Sequence, residues 1–275
     1  MLRSLLLLLL LQPHSTVPAP DTRCFELRVY QASPGKRAVL NNVLAGMGSK
    51  YAARYRMDLQ GAWLSADKND ERIFLLIAYP DKPSALKSWD MLNADEEFKA
   101  DIVAASKEGR PIASVSRFFL EATDYSPAIK PDQTGNRIFE LRTYITPASR
   151  LPNLNTRFRD HTVKLFTKHN ITNLAYFNLG ENEKTTVGEL LKGLAAKGKE
   201  QAAAEADATA APVALVYFLA HPSAEAMAKN FGAFGKDELW KKAYTESEKV
   251  AGGPLTVRNG VKSLVLQPTD YSPWK

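Results

Sequence analysis

The sequence predicts an α+β fold built twice, as two tandem ferredoxin-like units that each read β-α-β-β-α-β. A repeated motif is the first observation: Phe-Glu-Leu-Arg-Val-Tyr at 25–30 returns as Phe-Glu-Leu-Arg-Thr-Tyr at 139–144. The second is the motif Thr-Asp-Tyr-Ser-Pro, which closes both halves at 123–127 and 269–273. Repeats of this length predict two homologous copies, called copy 1 and copy 2 below.

Copy 1 shows alternating strand patterns and two helical stretches in the order that this fold requires. Its first strand alternates apolar and polar residues, and Pro34-Gly35 predicts the turn that follows. Leu40, Val43, Leu44 and Met47 recur at helical spacing, which predicts the first helix. The predicted elements are a strand at 25–30, a helix from about 40 to 55, strands at 62–64 and 73–79, a helix from about 83 to 107 and a strand at 115–120.

Copy 2 repeats this order, and its register against copy 1 reveals one insertion. The offset is 114 residues up to Phe177, 142 residues from Pro222 onward and 146 residues at Tyr271. The added segment, about 181–211, is rich in Ala, Lys, Glu and Gly, and we expect a surface excursion with a short helix near Val187 to Leu194. The other predicted elements span 138–145, 151–169, 174–179, 215–221, 224–250 and 261–266.

These patterns predict the organisation of the whole chain. We expect copy 1 at 23–126, a linker rich in Pro and Gly at 127–136, and copy 2 at 137–273. Each unit forms a four-stranded antiparallel sheet with both helices on one face. The bare faces of the two sheets can cover each other, which predicts a pseudo-twofold pair with a space between the sheets.

The N-terminus has the layout of a signal peptide at 1–22. A short basic start precedes the apolar run Leu5 to Leu11, which is too short to span a bilayer comfortably. We expect export to a periplasm or to the outside, with an uncleaved membrane tether as the alternative. No other segment reaches membrane-spanning length. Cys24 is the only cysteine, so the chain has no intrachain disulfide, and the simplest interpretation of Cys24 is a small apolar side chain.

Composition and charge narrow the classes of partner. The apolar fraction is 45% and the charged fraction is 24%, as in ordinary globular proteins. The net charge of +6 is spread along the chain without a basic stripe, so nucleic acid is not expected as a partner. The histidines lack metal-ligand spacing, and we expect no metal, no stable haem site and no other cofactor. A homo-oligomer is left open.

Several motifs resemble the NIPSNAP family of the dimeric α/β-barrel superfamily. They are the two Phe-Glu-Leu-Arg-x-Tyr strands, Phe-Arg-Asp-His-Thr at 158–162 with Phe166-x-x-His169, the segment Lys236 to Lys241 and, more weakly, Asn93 to Phe98. The resemblance covers about residues 24–273 and implies a dimeric α/β barrel made within one chain. It also implies either a binding or adaptor protein, or a relative of haem-degrading monooxygenases and cofactor-free oxygenases and isomerases.

The first strands carry the candidate ligand-binding residues. Alternation places one polar set on a single strand face in each copy: Glu26, Arg28 and Tyr30, and Glu140, Arg142 and Tyr144. We expect both sets to point into the gap between the sheets. They then form either a structural network of ion pairs or a pocket for an acidic or carbonyl-bearing ligand.

His161 is the candidate catalytic residue. It follows Leu154 and Phe158 at helical spacing, which places it on the apolar stripe inside the protein, where copy 1 has Met47. It is interpreted either as a core histidine or as a general base or haem ligand.

Two functions remain open from the sequence alone. The first is a module that binds a small molecule or a protein in the space between the sheets. The second is a monooxygenase or isomerase of the superfamily, either cofactor-independent or haem-dependent. Whether the chain is an enzyme is not decided by any motif.

Overall fold

The computed structural model describes residues 20–131, 133–180, 185–197 and 212–275. The expected signal peptide, apart from its last residues, lies outside the described residues, as do parts of the expected insertion. No helix in the described ranges is both long enough and apolar enough to cross a membrane. The strands are β1 Cys24–Ala32, β2 Asp58–Ser65, β3 Arg72–Tyr79, β4 Ile112–Ala122, β5 Ile138–Ile145, β6 Thr172–Leu179, β7 Ala214–His221 and β8 Val261–Pro268.

The helices follow the predicted order, with both long helices of each copy divided. They are α1 Arg37–Gly46 with a π-helical turn Met47–Tyr51, α2 Lys82–Ala94, α3 Glu96–Ala105, α4 Leu151–Arg157 with a π-helical turn Phe158–Thr162, α5 Val163–Lys168, α6 Val187–Leu194, α7 Ala224–Lys236 and α8 Glu238–Val250. The second helix of each copy breaks at Asp95 and at Asp237, whose side chains accept hydrogen bonds from the first turn of α3 and of α8.

The eight strands close into one antiparallel barrel in the order β1-β3-β2-β8-β5-β7-β6-β4. Two short seams join the copies, and each pairs the second strand of one copy with the fourth strand of the other. At one seam Trp63 lies opposite Pro268, and at the other Phe177 lies opposite Ala122. The equivalent register at both seams confirms the predicted pseudo-twofold symmetry and the α+β fold.

Strand direction decides which connections share an end of the barrel. Every neighbouring pair is antiparallel, so β2 and β6, four steps apart in the closed order, run the same way. The β2–β3 and β6–β7 connections therefore lie at one end of the barrel, called the insertion end because α6 belongs to the β6–β7 connection.

The space between the sheets is filled, which corrects the expected gap. Phe25, Leu27 and Val29 of β1 point into the barrel and pack with inward residues of both copies. Trp63 of β2 stacks on Phe218 of β7 with ring centroids 5.0 Å apart. The polar face of β1, and not this apolar face, was expected to point into the gap. Strand alternation was predicted correctly, but the two strand faces were exchanged. The barrel is covered on its outer face by helices, and the more apolar face of the strand lines the shared interior.

The inserted helix α6 is part of this interior and not a surface excursion. Its apolar face, Val187, Leu190, Leu191 and Leu194, is buried in the barrel core. The helix approaches β5 and β8, while a Cβ added at Gly193 would lie 2.8 Å from Phe118 of β4, on the opposite side of the barrel. The insertion therefore closes the insertion end like a plug.

An inward arginine fixes the carboxyl end of this plug. Arg72 donates from Nη1 to the carbonyl of Gly193 at 2.8 Å and from Nη2 to the carbonyl of Ala195 at 2.8 Å. The same guanidinium pairs with buried Asp70. The carbonyls at the end of α6 thus receive charged donors, as a buried helix end requires.

The linker and the chain end close the opposite end of the barrel. Ile129 and Trp274 belong to the barrel core, and the Trp274 indole donates to the Lys130 carbonyl at 2.7 Å. The Trp274 ring lies 5.7 Å from that of Trp63. The interior is consequently a single core to which both copies contribute.

Candidate functional site

The predicted polar sets lie on the outer face of the barrel, beneath the helices. In copy 1 the fully buried Glu26 accepts from Arg28 Nε at 2.8 Å and from the Trp89 indole of α2 at 2.7 Å. The Arg28 guanidinium carbon lies 3.3 Å from the centre of the Trp89 ring, in a stacked arrangement. The expectation that these groups point into the gap between the sheets is wrong, but the predicted pairing of acid and arginine is present.

Arg28 also forms part of a cleft of about 550 Å³ between α2, β4 and the start of the insertion. Its lining is Arg28, Lys82, Leu86, Val115, Ser116, Arg117, Phe118, Phe119, Thr185 and Glu189, and we call it the copy 1 cleft. Arg117 and Lys82 both lie over the Phe119 ring, at 5.0 and 5.2 Å. The cleft therefore combines an apolar wall with three cationic side chains.

The electrostatics of the cleft keep Arg28 charged. Burial lowers the pKa of its guanidinium, but Tyr30 and Glu26 raise it further, so the net direction is upward. Burial raises the pKa of the Tyr30 phenol, which stays protonated. Arg28 donates from Nε to Glu26 and from Nη1 to the Tyr30 hydroxyl, and its side chain lines the cleft. Arg117 is 42% exposed and has its Nε 3.9 Å from Glu26, so both arginines can reach an anion in the cleft.

The β4 strand explains why the cleft is open. β4 pairs with β6 only from Leu120 to Ala122, near its end. Its earlier residues, Val115 to Phe119, therefore extend beyond the seam toward the insertion end, where Thr185 and Glu189 of the insertion face them. The insertion that plugs the barrel also supplies one wall of the copy 1 cleft.

Copy 2 builds a different site from the equivalent strands. Glu140 accepts from Arg142 Nη1 at 2.8 Å, and it also contacts Ser263 and His221. Burial raises the pKa of Glu140, but His221, Arg142 and Ser263 lower it, so the net direction is downward. Copy 2 has Ala224 where copy 1 has Lys82, and Ser263 where copy 1 has Arg117. The cationic lining is thus particular to copy 1.

His161 is exposed, which corrects its predicted place inside the protein. The π-helical turn Phe158–Thr162 adds one residue to that turn, so the buried stripe passes from Phe158 to Thr162. In copy 1 the π-helical turn begins at Met47, three aligned positions later, and Met47 stays buried. The displaced π-helical turn could not be foreseen from apolar spacing.

Arg157 is the buried residue that apolar spacing missed. It lies on α4 and is 3% exposed, and the register places Val43 at the equivalent position of copy 1. Its guanidinium lies 5.5 Å from the Trp240 ring and 5.0 Å from the Tyr244 ring. A charge that replaces an apolar residue between two aligned copies is the signal that could have identified it.

The remaining candidates carry little chemistry. Burial raises the pKa of the Cys24 thiol to about 11, so it stays protonated at neutral pH, in line with its predicted role as a small apolar side chain. Within the described ranges, no group of three or more His, Cys, Asp or Glu side chains could hold a metal ion.

Comparison with known proteins supports the fold and the domain. Residues 25–127 match the NIPSNAP family model, and they form a NIPSNAP domain. A NIPSNAP family protein from Agrobacterium tumefaciens is 21% identical, with 38% of this chain and 97% of that one covered and a TM-score of 0.34. No curated protein is similar enough in sequence to count as a relative.

Two solved structures match along nearly the whole chain. An anthrone oxidase-like protein has a TM-score of 0.53 and 13% identity over 90% of this chain and 92% of that one. A proposed monooxygenase from Lactobacillus acidophilus has a TM-score of 0.50 and 9% identity over 90% of this chain and 94% of that one. The likeness shows that both copies together have the fold of full-length dimeric α/β-barrel proteins.

Proposed function

We propose that this protein, whose residues 25–127 form a NIPSNAP domain, binds a small anionic molecule with an apolar body in the copy 1 cleft. The observation that carries the proposal is the Arg28 guanidinium, stacked on Trp89 and held from behind by buried Glu26. A planar cation with a fixed orientation suits a carboxylate, sulfonate or phosphate oxygen.

The size and lining of the cleft support the same class of ligand. A volume of about 550 Å³ is within the range of pockets that hold small molecules. Leu86, Val115 and Phe119 offer apolar contact, while Arg28 and Arg117 offer charged donors. The carboxylate in the lining, that of Glu189, accepts a hydrogen bond from the backbone N–H of Thr186 in a capping box. The cationic side chains therefore set the charge preference.

This proposal moves the ligand out of the space between the sheets, where we had expected it. An oxygenase or isomerase was the alternative, and the proteins of similar fold include a proposed monooxygenase and an anthrone oxidase-like protein. At 9% and 13% identity these matches support the fold and not the reaction. We carry the binding proposal forward because the copy 1 cleft gives it specific residues.

We further propose that the mature protein is exported, on the strength of the apolar run Leu5 to Leu11. N-terminal sequencing of the mature protein should then begin between about Ser15 and Arg23. An intact Met1 on soluble protein from the cytosol would contradict export.

A fluorescent anion tests the binding proposal directly. The probe 1-anilinonaphthalene-8-sulfonate joins a sulfonate to aromatic rings and brightens in apolar surroundings. We expect one saturable site per chain, measured by calorimetry and fluorescence. Arg117→Ser and Lys82→Ala introduce the residues of copy 2, and each should weaken binding by about ten- to a hundredfold, since a charged hydrogen bond contributes about 1.5–3 kcal/mol and about 1.4 kcal/mol is a factor of ten.

Arg159→Ser is the matched control. Arg159 lies on the surface of copy 2 and is 39% exposed, close to the 42% of Arg117, and it pairs with Asp124 of copy 1. The control removes the same charge and should leave probe affinity unchanged. Equal weakening in the control and in Arg117→Ser would mean that net charge alone attracts the probe, and the proposed site would be wrong.

A further inference from the structure

The outer face of copy 2 holds a group of polar side chains that the proposed function does not use. It consists of Arg142 and Tyr144 on β5, Tyr217 on β7 and Arg157 on α4, and we call it the tyrosine–arginine cluster. The Tyr144 and Tyr217 rings are 5.5 Å apart, and Phe158 packs against both. Arg142 Nη2 donates to the Tyr144 hydroxyl at 3.3 Å.

Several polar atoms of this cluster are buried without a partner. Arg157 is 3% exposed, and its Nε and Nη1 have no hydrogen-bond acceptor. Arg142 Nε and the Tyr217 hydroxyl are also buried without a hydrogen-bond partner. Buried donors normally find acceptors, and a buried cation without a counter-ion is strongly unfavourable. In the described part of the chain Arg142 pairs with Glu140 at 2.8 Å, whereas Arg157 forms no ion pair, so it is Arg157 that lacks negative charge and acceptor capacity beside it.

The Tyr144 oxygen is the group that can supply both. It already accepts from Arg142, and it lies in the electrostatic field of Arg157. Copy 1 provides the contrast, because Val43 stands at the position of Arg157 and Leu75 stands at the position of Tyr217. The equivalent tyrosine of copy 1, Tyr30, thus has one arginine nearby where Tyr144 has two.

We propose that Tyr144 is a half-buried acid–base site of copy 2, a phenolate whose counter-ions are Arg142 and Arg157. In accepting a proton, the phenolate oxygen forms an O–H bond and becomes neutral tyrosine, and its negative charge disappears from between the arginines. The groups that face it are Glu140 and Arg142 from β5, Tyr176 from β6, Tyr217 from β7, Arg157 from α4, and Tyr244 and Glu248 from α8.

The direction of the ionisation follows from these neighbours. Burial raises the pKa of the Tyr144 phenol, but Arg142 and Arg157 lower it, and the net direction is downward. Burial raises the pKa of Tyr217 and of Tyr30. Since the two phenols of the cluster interact, the first ionisation belongs to the pair, with the charge centred on Tyr144.

Spectrophotometric titration of the folded protein tests this assignment through the near-ultraviolet absorbance of tyrosinate. We expect one of the ten tyrosines to ionise below the ordinary value of about 10. Tyr144→Phe should remove this step. Tyr30→Phe, the matched change in copy 1, should leave it unchanged.

The arginine variants separate an electrostatic role from a structural one. Arg157→Val introduces the residue of copy 1 and should raise the midpoint by about 1–3 pH units, the range that one close opposite charge produces. Arg157→Lys keeps the charge and should retain the low step.

Three results would overturn the proposal. One is a low step that survives Tyr144→Phe. Another is a folded Arg157→Val protein, verified by circular dichroism, with an unchanged midpoint. The third is a midpoint that follows the chloride concentration, since a bound anion and not the phenolate would then be the counter-ion. If Arg157→Val does not fold, the contrast between Tyr144→Phe and Tyr30→Phe still decides.

Discussion

The two copies share one backbone plan and have diverged in opposite directions on their outer faces. In copy 1, Arg28 and Arg117 line a cleft that is open to solvent. In copy 2, Arg142 and Arg157 lie beneath helices among tyrosine rings. The comparison shows how the two outer faces of a repeated fold can differ, because the barrel core needs both copies while each outer face is free to change.

Single positions account for much of this divergence. Lys82 and Arg117 of copy 1 correspond to Ala224 and Ser263 of copy 2, and Val43 corresponds to Arg157. By contrast, the links between the helices are preserved: Tyr55 binds Asp95 in copy 1, as His169 binds Asp237 in copy 2. Scaffold contacts were kept, and the polar side chains over the sheet were exchanged.

The largest expected effect concerns the one element that copy 1 lacks, the plug helix α6. Replacing Leu190 and Leu191 by Ala should destabilise the protein by about 2–5 kcal/mol per site, because both side chains are fully buried in the barrel core. Chemical denaturation measures the loss. Lys192→Ala, on the exposed face of the same helix, should change stability by less than about 0.5 kcal/mol. If the double substitution leaves stability unchanged, α6 is not part of the barrel core, and the expected surface excursion would be correct.

Removal of the strand arginines should affect copy 2 more than copy 1. Arg142→Met leaves Glu140 buried without its cation and should cost about 3–5 kcal/mol in the free energy of unfolding. Arg28→Met should cost less, because Arg117 already lies 3.9 Å from Glu26 and can approach it.

Denaturant titration of both variants checks this difference. Glu140→Leu combined with Arg142→Met should recover much of the loss, since the unpaired charge is removed as well. Equal losses for Arg28→Met and Arg142→Met would show that the two outer faces are equally closed.

Acid stability should depend on Glu140. Its pKa is lower in the folded protein than its ordinary value of about 4.3, so its contribution is complete above that value and is lost as the pH falls through the lowered folded pKa. Glu140→Gln should therefore flatten the decline of stability below about pH 4. Urea denaturation across that pH range measures the free energy of unfolding of both proteins. If the loss of stability at low pH is the same in Glu140→Gln, other carboxylates cause it.

The smallest effect is expected where the copies agree. Asp95→Ala and Asp237→Ala each remove a helix cap and the contact with the end of the preceding helix. Both should lower the melting temperature slightly and by similar amounts. A much larger drop in melting temperature for one of the two variants would show that this link between helices contributes unequally to the stability of the two copies.

Repeated motifs and strand alternation were enough to predict the eight strands, the pseudo-twofold pairing and the helix Val187–Leu194. They could not assign the faces, because alternation separates two sets of residues without saying which set lies inside a closed barrel. They also could not place His161, since its exposure depends on where a π-helical turn falls. The insertion was misjudged because its composition, rich in Ala, Lys and Glu, outweighed four apolar residues at helical spacing.

The sequence predicted only part of the candidate site, because some of its residues are brought together by the fold and belong to no motif. Glu26 and Arg28 were found from their repeated motif, and their partner Trp89 is distant in sequence, brought near by the crossing of α2 over β1. Arg117 and Lys82 lie outside any motif. They become visible only when the two copies are aligned and compared for charge.

The most direct test of the difference between the copies is the nuclear magnetic resonance signal of the four tryptophan indoles during titration with 1-anilinonaphthalene-8-sulfonate. Trp89 lies under the copy 1 cleft, Trp240 lies beside Arg157 in copy 2, and Trp63 and Trp274 lie in the barrel core. We expect the Trp89 indole N–H to shift most, and the shift to weaken in Arg117→Ser. A dominant shift at Trp240, or at Trp63 and Trp274, would place the ligand in copy 2 or inside the barrel and contradict an open cleft in copy 1.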